Sequence, residues 1–281
     1  MTRKRKNPHE LIDRIREALT ELRLAEMMRQ LEEELAAGPR QNDSRLEMLW
    51  RLLEPQLLLR RQRSVEYRIR MARFPAAKTL DNFDFAFQPE LDRDRVLELA
   101  TLDFVRRGQN LLVAGMSGTG KSHICIAQGH LACAAGFSTR YTTSADMLSD
   151  LQASLADATM AEALKPFVRP QLLIIDEVGL DRPERDATPD AQLFYRVIRP
   201  RHAAPRSTVI TSNIDWEKWG EYLGDDIASV AILDRLIEHG HLLTIDGPSY
   251  RAEEHTKLNP PKKKAKPKTK GGTRARRTRR S

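Results

Sequence analysis

Residues 115–123 read GMSGTGKSH and follow directly on the apolar run NLLVA, 110–114. Gly115, Met116, Ser117, Gly118, Thr119, Gly120, Lys121 and Ser122 fit the spacing G-x-x-x-x-G-K-[ST], with His123 next in line. Each element of that spacing has a physical task. The glycines allow backbone angles that wrap a loop so that its N–H groups converge on an anion. A helix opening at Lys121 adds the positive end of its dipole. The Lys121 ammonium is placed to reach the β- and γ-phosphates of a nucleotide, and the Ser122 hydroxyl to ligate Mg²⁺. An apolar strand before the loop and a helix after it are the context such a phosphate loop requires.

Outward from this loop, QLLIIDEVG at 171–179 supplies the second half of a nucleotide site. Leu172 to Ile175 read as a buried strand that ends in Asp176 and Glu177. In a parallel sheet the carboxyl ends of the strands face the ligand crevice. Asp176 is therefore expected to hold Mg²⁺ through water, and Glu177 to orient or deprotonate an attacking water. A carboxylate directly after the metal aspartate favours hydrolysis over transfer to a small acceptor. STVITSN at 207–213 reads as a further strand that ends in Asn213, a candidate contact to the γ-phosphate or the lytic water. Arg235 and Arg251 suit stabilisation of developing phosphoryl charge. By composition alone, a surface ion pair is the stronger reading of either.

The wider pattern specifies the architecture. NLLVAG, STRYTT, QLLIIDE, STVITSN and HLLTID are short apolar strands separated by helical stretches, which implies an α/β fold with a largely parallel five-stranded sheet covered on both faces. Ahead of it, Leu11, Ile15, Leu19 and Leu22, then Met27, Leu31 and Leu35, recur at helical spacing, with a break expected near Arg23 and a stop at Gly38. Ser44 and Glu47 form a capping box for the next helix. Its expected apolar face includes a buried Trp50, and Pro55 is expected to limit it. The following segment, 56–73, carries Arg60, Arg61, Arg63, Arg68, Arg70 and Arg73 and is expected to end before Pro75. Those arginines read either as a solvated face or as contacts to a phosphate backbone. Cys125 and Cys133, with His123 and His130 nearby, match no zinc spacing and are expected to be small core residues.

The net charge of +8 is unevenly placed. Residues 262–280 hold 11 basic residues and no acidic one, so the chain without them stands at −3. Such a segment cannot bury a core and is expected to be a disordered tail that binds polyanions, nucleic acid first. No run approaches the ~20 apolar residues that span a bilayer, which excludes a helical membrane protein. The basic start MTRKRKNPHELIDRIREALTEL lacks the apolar centre of an export signal. The expected location is the cytoplasm.

Taken in order, GMSGTGKSH, LLIIDEVG, STVITSN, WEKWGEYLGD, AILDRLIEHGH and GPSYR resemble the IstB-like ATPases, helpers of insertion-sequence transposition related to the DnaC-type helicase loaders of the AAA+ superfamily. ARFPAAKTLDNFDFAFQPELDR, 72–93, resembles the same family, and the resemblance covers roughly residues 10 to 252. It implies an AAA+ P-loop core at 76–253 after a helical DNA-binding and self-assembly domain at 1–75; the tail expected at 254–281 is not part of the resemblance and is read from its charge alone. The resemblance further implies ATP and Mg²⁺ as cofactors, with duplex DNA, a transposase and further copies of the chain as partners. By the same resemblance, Arg235 is a finger completing a neighbour's site, Arg251 a second sensor, Asn213 a first sensor, and Phe83 an anchor of the adenine-side wall. Prolines common in the family's loop are replaced here by Met116 and Ser117. A helicase loader acting on single-stranded DNA is the alternative reading. Single strands are usually held by exposed aromatic platforms, and the amino-terminal part offers only Trp50 and Tyr67.

Overall fold

The computed structural model describes residues 8–38, 44–180 and 190–258. The first apolar stripe folds as α1 (Pro8–Glu21) and α2 (Ala25–Ala37), parted at Arg23, whose φ of 56° is left-handed. Helix α3 (Arg45–Ala72) opens on the expected capping box: Glu47 N–H donates to Ser44 Oγ at 3.1 Å and Ser44 N–H to Glu47 Oε2 at 2.7 Å. Leu19, Leu31 and Leu52 make a small core between the three helices.

Two expectations fail in α3. Pro55 does not limit the helix, which runs without interruption from 45 to 72. A proline there removes one backbone donor and crowds the preceding turn, but tertiary contacts on both sides hold the helix together. Gln56 Oε1 accepts from Glu26 N–H at 3.1 Å and Met27 N–H at 3.2 Å, capping α2, and Arg51 pairs with Glu34 at 3.1 Å. Trp50 is not buried but 54% exposed, beside the exposed Leu46, Leu49 and Leu53. The amino-terminal core is too small to cover both faces of so long a helix. Arg73 ends α3 in a left-handed conformation, φ 60°, two residues before Pro75.

The remaining elements alternate. They are α4 (Arg93–Ala100), α5 (Asp103–Arg106), β1 (Asn110–Gly115), α6 (Lys121–Ala134), β2 (Thr139–Thr143), α7 (Ser144–Ala156), α8 (Met160–Val168) and β3 (Leu172–Val178). Then follow α9 (Asp190–Ala203), β4 (Ser207–Ser212), a 3₁₀ turn at Trp216–Lys218, α10 (Trp219–Leu223), α11 (Asp226–Ile237), β5 (Gly240–Ile245) and α12 (Tyr250–Leu258). All strand pairs are parallel, in the order β2-β3-β4-β1-β5. This is the five-stranded α/β sheet that the apolar runs predict. Side chains alternate across it, as the two-residue period requires. Leu111, Val113, Leu172, Ile174 and Val209 enter one core, and Leu112, Leu173, Ile175 and Ile210 the other. Both cysteines are free and fully buried in α6, as expected. Burial raises both thiols above the usual range. Helix α12 extends to Leu258, past residue 253, where the basic tail was expected to begin. The 262–280 stretch lies outside the described residues.

One buried charge ties the underside together. Arg201 is 1% exposed, and its guanidinium donates to Phe167 O at 2.8 Å, Pro170 O at 2.9 Å and Thr208 Oγ1 at 3.0 Å, and also to Ser207 O. It thereby joins α9, the end of α8 and the start of β4. Replacing Arg201 by leucine strands several buried carbonyls, each costing about 1–3 kcal/mol. We expect the thermal midpoint to fall by about 10 °C, with nucleotide affinity at low temperature unchanged. A shift of under about 2 °C by scanning calorimetry would remove Arg201 from the stabilising core.

Candidate nucleotide-binding site

Sheet order places the carboxyl ends of β1, β3 and β4 side by side, and a cavity of ≈ 1000 Å³ opens above them. The loop from β1 enters it through three glycines that cannot be replaced. Gly115, Gly118 and Gly120 have φ of 148°, 83° and 100°. A Cβ on Gly115 would lie 2.3 Å from Ile245 O, and one on Gly120 would lie 2.6 Å from the Phe83 ring. Lys121 opens α6, and its ammonium donates to Gly115 O and Met116 O at 2.8 Å each. Burial lowers its pKa below the ordinary lysine value, opposed by the negative charge of Asp176. Met116 itself is 71% exposed, so the variable part of the loop makes no packing demand on it.

Ser122, one residue into α6, faces the end of β3, and its Oγ donates to Asp176 Oδ1 at 3.0 Å. Asp176 is 1% exposed and surrounded by donors. Thr211 Oγ1 and, at 3.1 Å, Glu177 N–H donate to Oδ1, while Tyr141 Oη donates to Oδ2 at 2.7 Å. Hard oxygen donors on one serine and one carboxylate suit Mg²⁺, which keeps most of its waters and takes phosphate oxygens rather than a full protein cage. Among the described residues there is no group of three or more His, Cys, Asp or Glu side chains able to hold a metal by themselves.

Adjacent strand residues normally face opposite sides of a sheet. Asp176 and Glu177 nevertheless both line the cavity. The reason is a register shift between Ile175 and Val178, where Glu177 takes a φ of 65°. Its N–H is fixed by Thr211 Oγ1 at 2.9 Å as well as by Asp176. A left-handed non-glycine residue costs about 1–2 kcal/mol, and it persists where its surroundings over-determine it.

The other expected residues divide. Asn213 lines the cavity just beyond β4, with its N–H donating to Val178 O at 3.1 Å. That strand end is pinned by the buried Trp219, whose Nε1–H donates to Ser212 Oγ at 3.3 Å. Phe83 packs edge-on to His123 at 5.3 Å and to Phe85 at 4.8 Å, forming the wall beside Gly120. His123 is kept below its usual pKa by burial, and its Nε2–H donates to Thr79 O at 2.8 Å. Arg251 lines the cavity from α12, whose first residue, Tyr250, donates N–H to Gly118 O at 2.9 Å. Arg235 is not brought to this cavity. It sits at the end of α11, its carbonyl 3.4 Å from Asn110 Nδ2 at the amino end of β1. Five strand steps, roughly 16 Å, part that end from the loop.

Sequence reasoning missed Tyr141, Thr211 and the conformation of Glu177. Two signals were available. TRYTT is a strongly polar strand for a sheet covered on both faces, and Thr211 lies two residues before Asn213, on the same side of β4.

With this geometry in place, the relatives can be compared. Residues 17–258 match the family model described as IstB-like ATP binding protein. The chain belongs to that family. It is 37% identical to the insertion sequence IS5376 ATP-binding protein of Geobacillus stearothermophilus, over 76% of this chain and 83% of that protein. It is 35% identical to the insertion sequence IS21 ATP-binding protein of Pseudomonas aeruginosa, over 85% of this chain and 89% of that one. Among solved structures DnaI superposes with a TM-score of 0.51 at 21% identity, covering 63% of this chain and 93% of that one. This last likeness is one of fold alone, a parallel α/β P-loop NTPase core. The IstB-like chain thus carries an ATP-binding core, and none of its described helices is long and apolar enough to cross a membrane.

Proposed function

We propose that this protein is an ATP-hydrolysing, DNA-binding helper of insertion-sequence transposition, acting in the cytoplasm as an ATP-dependent assembly on duplex DNA that recruits or stimulates the element's transposase. The observation that carries the reading is the convergence of the phosphate loop, the Ser122–Asp176 pair and Glu177 on one cavity.

In this reading Gly115 to Ser122 cradle the triphosphate through backbone N–H groups, with Lys121 leaving the loop carbonyls for the β- and γ-phosphates. Ser122 and, through water, Asp176 hold Mg²⁺, which when bound neutralises phosphate charge. Glu177 takes a proton from the attacking water as its oxygen bonds to the γ-phosphorus, and the β–γ bridging oxygen leaves with ADP. Asn213 orients that water or the γ-phosphate, and Arg251 stabilises the phosphoryl charge from α12. Phe83 and His123 flank the nucleoside. DNA contact is assigned to α3. Among the described residues, Arg60, Arg61, Arg63, Arg68 and Arg70 on the helix and Arg73 just past it make no ion pair, which leaves cations on more than one side of α3 for phosphates.

Binding to duplex and single-stranded DNA at near-physiological salt, with and without ATP, tests the reading in wild type and Lys121→Ala. Lys121→Ala is expected to lower ATP affinity about tenfold to a hundredfold, the worth of a charge-assisted hydrogen bond, and to abolish ATP-stimulated duplex binding. Preference for single strands would instead favour a loader of helicases. DNA binding indifferent to both ATP and Lys121 would uncouple the nucleotide site from assembly.

A further inference from the structure

The Asp176 carboxylate has two unequal oxygens. Three donors converge on Oδ1, from Ser122, Thr211 and the Glu177 backbone. Among the described residues, Oδ2 receives one, the Tyr141 hydroxyl at 2.7 Å. Tyr141 comes from β2, paired with Ile174 one pleat below Asp176, so its ring runs along the strand and its hydroxyl reaches the strand end. The phenol is largely buried, and its hydroxyl donates to the carboxylate.

The ring is itself held. Phe74 meets Tyr141 with centroids 6.3 Å apart and stacks on His130 at 4.5 Å and 28°. It fits a notch that Gly129 leaves open, where a Cβ would stand 2.6 Å from Phe74 Cε1 and 2.8 Å from Ile174 Cδ1. Gly129 and His130 belong to α6, the helix that begins at Lys121. Phe74 is two residues past the end of α3. A single side chain at the junction of the arginine-rich helix and the nucleotide core is thus wedged between the phosphate-loop helix and the tyrosine that holds Asp176.

We propose that Tyr141 is a positioning residue for the carboxylate of Asp176, and that Phe74 is the contact through which α3 sets it. The terminal torsion of an aspartate is soft, so a ligand to a metal keeps its orientation only through its hydrogen-bond partners. Removing such partners costs about 10–100-fold in metal affinity. The proposal rests on the reading of Ser122 and Asp176 as the Mg²⁺ pair.

The test uses the full-length chain and a fluorescent ATP analogue, titrated with Mg²⁺ and, separately, in excess EDTA. Wild type comes first. If its nucleotide affinity and turnover do not depend on Mg²⁺, the metal reading itself fails, independently of Tyr141. Given that dependence, Tyr141→Phe, which keeps the ring, is expected to raise the half-saturating Mg²⁺ concentration about tenfold. Affinity in EDTA should stay within about twofold, and kcat should fall more than KM rises. Phe74→Leu, which keeps the notch filled, is expected to raise the Mg²⁺ requirement in the same direction and to weaken stimulation by duplex DNA. An unchanged Mg²⁺ half-point in Tyr141→Phe overturns the positioning role. Normal DNA stimulation and Mg²⁺ response in Phe74→Leu overturn the link to α3.

Discussion

Glu177→Gln is expected to bind ATP as wild type does and to hydrolyse it about 10²–10⁴-fold more slowly, the usual worth of a positioned general base. The substitution keeps volume and shape, and it leaves the backbone arrangement intact. That arrangement is set by the N–H of residue 177, which donates to Asp176 Oδ1 and Thr211 Oγ1 whatever the side chain is. The left-handed φ of 65° should therefore survive, and with it the position of the side-chain end above β3. The carboxylate's charge and its capacity to accept a proton are lost. The protein should then accumulate in its ATP-bound form, and its complex with duplex DNA should outlast that of wild type. Single-turnover hydrolysis, nucleotide affinity and the lifetime of the DNA complex check the three parts. Turnover at the wild-type rate would take the base away from Glu177. A loss of ATP affinity equal to the loss of rate would mean that the residue shapes the cavity rather than acting on water.

This residue also marks where reading the sequence stops. The alternation of short strand-like runs with helical stretches located all five strands to within a residue or two, most plainly at β1 and β3, where burial leaves an unbroken hydrophobic run. Ser44 and Glu47 announced the start of α3 because a capping box is a local interaction. Pro55 and Trp50 misled for the opposite reason. The helix continues through Pro55 because Gln56 and Arg51 are tied to α2, and Trp50 stays exposed because the small Leu19–Leu31–Leu52 core cannot reach it. Both outcomes depend on partners distant in the chain. The site divides in the same way. The loop and Asp176 were legible, since consecutive residues carry them. The turn of Glu177 into the cavity depends on a bulge and on Thr211 from another strand, and the Tyr141 contact on the pairing of β2 with β3.

Arg235→Ala is expected to leave nucleotide binding by a single copy within about twofold and to reduce turnover about 10³-fold or more, the scale of an arginine supplied in trans. The Arg235 carbonyl lies beside Asn110, at the end of β1 opposite the loop, so this side chain cannot serve the site of its own chain. What holds it now is weak. Its guanidinium stands 5.0 Å over the Tyr195 ring, worth about 0.5–1 kcal/mol, and donates to Ala231 O at 2.7 Å within its own helix. A guanidinium on a phosphate gains an ion pair and a bidentate geometry that one bond to a neutral carbonyl lacks, so a neighbour's phosphate is expected to draw it away. In the proposed ATP-dependent assembly, a head-to-tail interface would place the arginine of each copy in the next copy's site. Mixing two inactive variants separates this from a merely structural role. Arg235→Ala keeps an intact site and lacks the arginine, while Glu177→Gln keeps the arginine and lacks the base. In an equal random mixture about a quarter of interfaces join a complete site to a complete arginine, so ATPase activity should return to about that fraction of wild type. Full activity of Arg235→Ala alone, or none in the mixture, would confine Arg235 to its contact with Tyr195.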